Sequence, residues 1–194
     1  ITFAVFAQVN STSAQDASTL AMAQVAIPNA KCTGTQACDG IVDLLQVGDG
    51  SCNGDYSCYH VFAYTGTIGA GSCVGVVSCQ EAAGQIGAGS CNGGDACRST
   101  YGPIGAGSCV GVVACRGASG PIGNNSCFGY YACSQTAGSI GNNSCFGDYT
   151  CHHTAGSIGN NSCGGPACQG AAGSIGNNSC NGYDTCRGVA GSIG

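Results

Sequence analysis

The chain has 194 residues and a formal net charge of −5, yet Asp, Glu, Lys and Arg make up only 7% of it, against about 25% in an ordinary globular chain. Four Lys and Arg residues cannot form the basic stripe that binding to a phosphate backbone requires, which argues against nucleic acid as a partner. No apolar run is long enough to cross a bilayer, and eighteen cysteines point to an oxidising compartment, because cytosolic thiols stay reduced.

Residues 1–30 contain no cysteine and are rich in Ala, Ser, Thr and Gln. Ile1-Thr2-Phe3-Ala4-Val5-Phe6-Ala7-Gln8-Val9 alternates enough to read as an extended strand at the start of a processed chain, a segment for subunit contact. A remnant of a signal peptide is the other reading. Residues 31–67 form a loose region that holds two cysteine pairs, Cys32 with Cys38 and Cys52 with Cys58. These lie 20 and 21 residues from the next pair and mark irregular first coils.

From residue 68 the chain is periodic. Ile-Gly recurs at Ile68, Ile86, Ile104, Ile122, Ile140, Ile158, Ile175 and Ile193, in steps of 18 residues with one step of 17. Internal repeats of this kind decide the architecture before any local reading does. The unit is typified by Ile140-Gly141-Asn142-Asn143-Ser144-Cys145-Phe146-Gly147-Asp148-Tyr149-Thr150-Cys151-His152-His153-Thr154-Ala155-Gly156-Ser157. Its glycines at positions 2, 8 and 17 would each cost about 1 kcal/mol in a helix. Short Val, Ile, Phe, Tyr and Thr stretches between glycine corners fit strands instead. The expected fold is therefore all-β, a parallel β-solenoid of about eight or nine coils rising about 4.8 Å per coil.

The eighteen cysteines fall into nine pairs. Eight are Cys-x5-Cys: Cys32 and Cys38, Cys52 and Cys58, Cys73 and Cys79, Cys91 and Cys97, Cys109 and Cys115, Cys127 and Cys133, Cys145 and Cys151, and Cys180 and Cys186. The ninth, Cys163 and Cys168, is one residue shorter. Spacing within a pair holds where spacing between pairs drifts, which is what a staple confined to one coil predicts. Two cysteines six apart on an extended strand would be about 20 Å apart, whereas a disulfide needs Cα atoms roughly 4.4–6.8 Å apart. The chain must turn between them, and each pair has a glycine two residues after its first cysteine, from Gly34 to Gly182. Ladders of disulfides between coils are the alternative, since equivalent residues of stacked coils also lie within disulfide range. Structural zinc, a third reading, prefers tighter spacing; no metal, cofactor or catalytic residue is expected.

Ile-Gly-Asn-Asn-Ser-Cys resembles the hexapeptide repeat of left-handed parallel β-helices, and the second hexad, such as Phe146 to Cys151, fits nearly as well. The third, such as His152 to Ser157, departs from it by starting with a polar residue. That resemblance implies a three-sided coil. The acyltransferases and γ-type carbonic anhydrases of the same architecture depend on histidine, and this chain has only His60, His152 and His153, the last two expected on opposite faces of a strand. Cys-x5-Cys in short coils also resembles the Cys-stapled solenoid antifreeze proteins of beetles. Their Thr-x-Thr rank has no counterpart here, because the position before the second cysteine is mixed: Ser78, Ala96, Ala114, Ala132, Thr150, Ala167, Thr185. The combined pattern of Cys-x-Gly-x3-Cys with Ile-Gly-Asn-Asn-Ser-Cys is similar to long secreted repeat proteins of marine microalgae and other protists, which implies an extracellular or cell-surface fibre.

Asn10, Asn124, Asn142, Asn160 and Asn177 each begin an Asn-x-Ser/Thr sequon and are candidate glycan acceptors. Earlier units carry Ala-Gly at the Asn-Asn position, so the pair also makes a corner. Three functional expectations follow. The first is a structural subunit that assembles with copies of itself into a filament, by end-to-end stacking or by strand addition, since the sequence stops at Ile193-Gly194 on the start of another coil without a polar cap. The second is an ice-binding solenoid. The third is a surface adhesin using Tyr130, Tyr131, Tyr149 and Tyr183 to stack on sugars.

Overall fold

The computed structural model describes residues 31–41, 46–61 and 66–194. The expected amino-terminal strand and Asn10 lie outside the described residues, as do four positions in each of the two loose early repeats.

Successive repeats lie against one another in parallel. Ile68, Ile86, Ile104, Ile122, Ile140, Ile158, Ile175 and Ile193 form an unbroken chain of single-residue parallel bridges. Around each isoleucine from Ile68 to Ile175 the bonding runs both ways: the Ile140 amide donates to Pro121 one turn before at 2.9 Å, and the Gly141 amide donates to Ile158 of the repeat after at 2.8 Å. A second column of bridges follows the first cysteine, through Val110, Phe128, Phe146 and Gly164. Val47 bridges Ile68 and so occupies the isoleucine position of a repeat that begins at Val47-Gly48.

The short strands expected between glycine corners do not form among the described residues; pairing is confined to isolated bridges between turns. The cause lies in the backbone. From Asn125 to Gln135, every second residue has positive φ: Asn125, Cys127, Gly129, Tyr131, Cys133 and Gln135. A chain that alternates in this way curls instead of extending. It still satisfies its backbone between repeats. The amides of Asn125, Gly129, Tyr131 and Gln135 donate to the preceding repeat, and those of Cys127 and Cys133 to the following one.

The interior is narrow and made of few residue types. Each repeat from Ile68 to Ile158 contributes the isoleucine, the two cysteines, a serine before the first cysteine and small residues just before and three places after the second, all buried. Glycine makes such close stacking feasible. A Cβ on Gly69, Gly87, Gly105, Gly123 or Gly141 at position 2 would come within 3.0 Å of backbone in the next repeat. The same holds at position 17 for Gly102, Gly120, Gly138 and Gly156. At position 8 both constraints act together: Gly129 has φ +133, and its Cβ would strike Gly147.

Candidate functional site

The structure joins the eighteen cysteines into nine disulfides, each inside one repeat. Cys32 bonds Cys38, Cys52 bonds Cys58, Cys73 bonds Cys79, Cys91 bonds Cys97 and Cys109 bonds Cys115. Further along, Cys127 bonds Cys133, Cys145 bonds Cys151, Cys163 bonds Cys168 and Cys180 bonds Cys186. The Cα separations are 5.5–6.0 Å. The backbone at the cysteines departs from the expectation of extended segments on either side of a glycine corner. Cys58, Cys79 and Cys97 stand at φ 55, 58 and 56, and their first partners Cys52, Cys73 and Cys91 at φ 55, 57 and 58. Both ends of the staple are left-handed, so the segment between them forms a hook and not two sides of a triangle.

In the 17-residue repeat the missing residue is taken from this hook, between Cys163 and Cys168, and the flanking bridges of Ile158 and Phe146 persist. Stacking brings sulfurs of neighbouring repeats together. The Sγ atoms of Cys109, Cys115 and Cys127 lie within 4.8 Å of one another, as do those of Cys127, Cys133 and Cys145, and of Cys145, Cys151 and Cys163. All these cysteines are bonded, so the column holds disulfide sulfur rather than metal-ligating thiolate.

Beside the sulfurs runs a column of buried serines. Ser108 Oγ donates to the Gly123 carbonyl at 2.7 Å and accepts from the Ser126 amide at 3.1 Å; Ser72, Ser90, Ser126 and Ser144 do the same one repeat along. Thr100, Thr136 and Thr154 form a third column, donating to cysteine carbonyls of the next repeat at 3.0, 2.8 and 2.7 Å. Every hydroxyl named here is buried and satisfied, as a tightly packed interior demands. The position before the second cysteine is also interior: Ser78, Ala96, Ala114, Ala132, Thr150 and Ala167 are fully buried.

The Asn-Asn corners are built as the Ala-Gly ones are. The second residue is left-handed in both, at φ 51 for Asn125 and φ 66 for Gly107. The first asparagine makes the ladder: Asn124, Asn142, Asn160 and Asn177 each accept, through Oδ1, the amide of the residue one repeat earlier at 2.7–2.8 Å. These four sequon asparagines are exposed. The sequon hydroxyls of Ser126, Ser144 and Ser162, by contrast, are buried in the serine column.

The exposed large apolar side chains concentrate on the hooks: Tyr56, Val74, Val76, Val112, Tyr130, Phe146, Tyr149 and Tyr183. In two neighbouring repeats they join into an aromatic cluster. Phe128 and Phe146 stack at 5.3 Å; Tyr131 and Tyr149 stack at 5.4 Å with planes 8° apart; Tyr130 meets Tyr131 at 4.5 Å and Tyr149 at 5.6 Å, edge to face. Asp148 Oδ1 accepts the Tyr130 amide at 2.8 Å and ties this hook to the next. The hydrogen bond that holds its hydroxyl proton toward Tyr131, and then desolvation by the neighbouring rings, raise the Tyr130 phenol above its ordinary value. The rings of the stacked pairs turn faces toward each other, not outward as a sugar platform would require.

His152 and His153 do not point to opposite faces. Their rings lie 4.0 Å apart, because the two residues sit in a turn with His153 at φ 56, where the two-residue period of a strand does not apply. His152 also meets Tyr131 and Tyr149 edge to face. Burial, and then His153, lowers its pKa from the ordinary 6.5, and its Nδ1 is buried without a partner.

With this geometry in view, the family described as Domain of unknown function (DUF7640) matches residues 10–128 and 113–194. The chain belongs to that family. The two matches overlap at 113–128 and together cover both the loose early repeats and the regular ones, so the family's domain is itself built of this repeat. No curated protein and no solved structure matches the chain. No helix among the described residues is long and apolar enough to cross a membrane.

Proposed function

We propose that this chain is a disulfide-stapled parallel β-solenoid that serves as a structural subunit of an extracellular or cell-surface filament. The observation that carries the reading is the translational identity of the repeat. Each repeat receives amide donors and carbonyl acceptors from the one before in the same register in which it offers its own to the one after. The two faces of any repeat are therefore complementary, and an exposed face on one copy fits the opposite face of another. A head-to-tail contact of this kind does not close on itself, and it produces a filament. Nine disulfides favour an oxidising, extracytoplasmic setting.

Further support comes from how the side chains are used. Serine, threonine, asparagine and isoleucine columns are all spent on stacking one repeat on the next. An ice-binding rank needs hydroxyls facing outward, and the column before the second cysteine faces inward. The exposed sequons lend themselves to glycans along one edge of such a filament, but adjacent acceptors one repeat apart crowd each other, so alternate occupancy is expected over occupancy of all four.

The test is negative-stain electron microscopy of the native, disulfide-intact protein across a range of concentrations, alongside sedimentation velocity. Filaments that lengthen with concentration are expected. Short rods that stay monomeric at high concentration would overturn the reading, and thermal hysteresis in the same material would point to the ice-binding alternative.

A further inference from the structure

The nine disulfides brace single repeats, each closing a loop of six residues or fewer in sequence separation. None joins one repeat to the next; besides the main chain, neighbouring repeats are held among the described residues by non-covalent contacts. The one place among the described residues where oxidisable side chains of two repeats touch is the tyrosine cluster of Tyr130, Tyr131 and Tyr149. We infer that this cluster is a site of oxidative coupling, at which a dityrosine bond joins Tyr130 to Tyr149 and staples two repeats together. This inference stands independently of filament formation.

Three observations converge on it. The first is contact: the Tyr130 and Tyr149 rings are 5.6 Å apart and edge to face, with Tyr131 touching both. Two radicals formed on rings already in contact couple as an intramolecular reaction, with the large effective concentration that brings. The second is access, since Tyr130 and Tyr149 are 41% and 43% exposed; side chains that free can swing their ortho carbons together while the backbone stays bonded. The third is the shortage of competing acceptors of oxidising equivalents. The chain has no Trp and one Met, and no free cysteine exists to be oxidised first. A one-electron oxidant therefore finds tyrosine.

The chemistry balances with hydrogen peroxide and a haem peroxidase as the oxidising system. Each phenol gives up one electron and its hydroxyl proton to become a phenoxyl radical. The two radicals join ortho carbon to ortho carbon, and the two ring protons displaced there move to the phenoxyl oxygens as aromaticity is restored. The two electrons and two protons reduce one peroxide to two molecules of water.

The test treats the full, disulfide-intact chain with peroxidase and hydrogen peroxide at low protein concentration, isolates the monomer by gel filtration, and maps it by mass spectrometry after reduction and digestion. The expected product has lost two hydrogens, shows dityrosine fluorescence and yields a peptide linking Tyr130 to Tyr149. Tyr149→Phe, which keeps the ring and its packing, loses that linked peptide; Tyr101→Phe, an exposed tyrosine with no tyrosine ring in contact, keeps it. Tyr56 and Tyr59, 5.9 Å apart within one repeat, give a separately mapped product that leaves this result unaffected. Links found only between separate molecules, or tyrosine consumed in the monomer without the Tyr130–Tyr149 peptide, would overturn the proposal.

Discussion

Val77 sits at φ 60 and Val113 at φ 62, a region that β-branched residues avoid because Cβ crowds the following carbonyl. Asn and Gly tolerate it, and Asp95 fills the equivalent position one repeat after Val77. Replacing the half-buried Val77 by Asn keeps its amide bond to the Asp55 carbonyl and relieves the crowding, so Val77→Asn is expected to raise stability by about 1 kcal/mol in a denaturant titration. His152 gives a pH prediction. Its pKa is lowered in the folded chain, so the unfolded chain takes up the proton first as pH falls. Stability is therefore full above the ordinary value of 6.5 and declines as pH drops through the lowered folded value. Thermal melts should show this decline, and His152→Gln should flatten it. Neither feature was legible in the sequence. Left-handed Val, Cys and Tyr run against residue preference, and adjacency of two histidines says nothing about direction until the turn that holds them is known.

Each repeat is a hook and a ladder section, and glycine sets the distance between ladder sections. Gly120 has no positive φ, yet its Cβ would strike the carbonyl of Gly138, whereas a Cβ on Gly94 would come no closer than 3.9 Å to the Val76 carbonyl. Gly120→Ala should cost about 3 kcal/mol through enforced separation of two backbones, and Gly94→Ala should be close to neutral; paired melting curves check the contrast. Much of this element was readable beforehand. The 18-residue period, the constant spacing of cysteine pairs and the interchange of Asn-Asn with Ala-Gly all follow from geometry repeated along the chain. The pairing of Cys58, Cys79 and Cys97 with the cysteine six residues before each was readable for the same reason, but their left-handed backbone was not, because a fixed spacing constrains the distance between two ends and not the path that joins them. The start at Val47-Gly48 is masked in the sequence by valine standing in for isoleucine, although Val47-Gly48-Asp49-Gly50-Ser51-Cys52 has the same shape as the later units. The serine column was visible as a Ser before the first cysteine of every unit from Cys52 onward, but a small residue there reads as a spacer until its hydroxyl is seen to bond two neighbouring repeats.

At the scale of the molecule, contacts join residues either within one hook or one repeat apart, so repeats behave as nearly independent links in a line. Deleting residues 122–139 removes one whole repeat and brings Ile104 against Ile140 in an unchanged register. The shortened chain is expected to fold, with eight disulfides by unreduced peptide mapping and a cooperative melt; deletion of nine residues, which breaks every column, should abolish both. The sulfur column also bears on how the protein is made. Once repeats are stacked, a cysteine has wrong partners within 4.8 Å as well as its own. During synthesis the order is different: the first partner a newly emerged second cysteine meets is the one six residues behind it, through the shortest loop available. Correct pairing is thus secured by timing, with each hook closing before its neighbour arrives, and oxidation of an already assembled, reduced stack would lose that information.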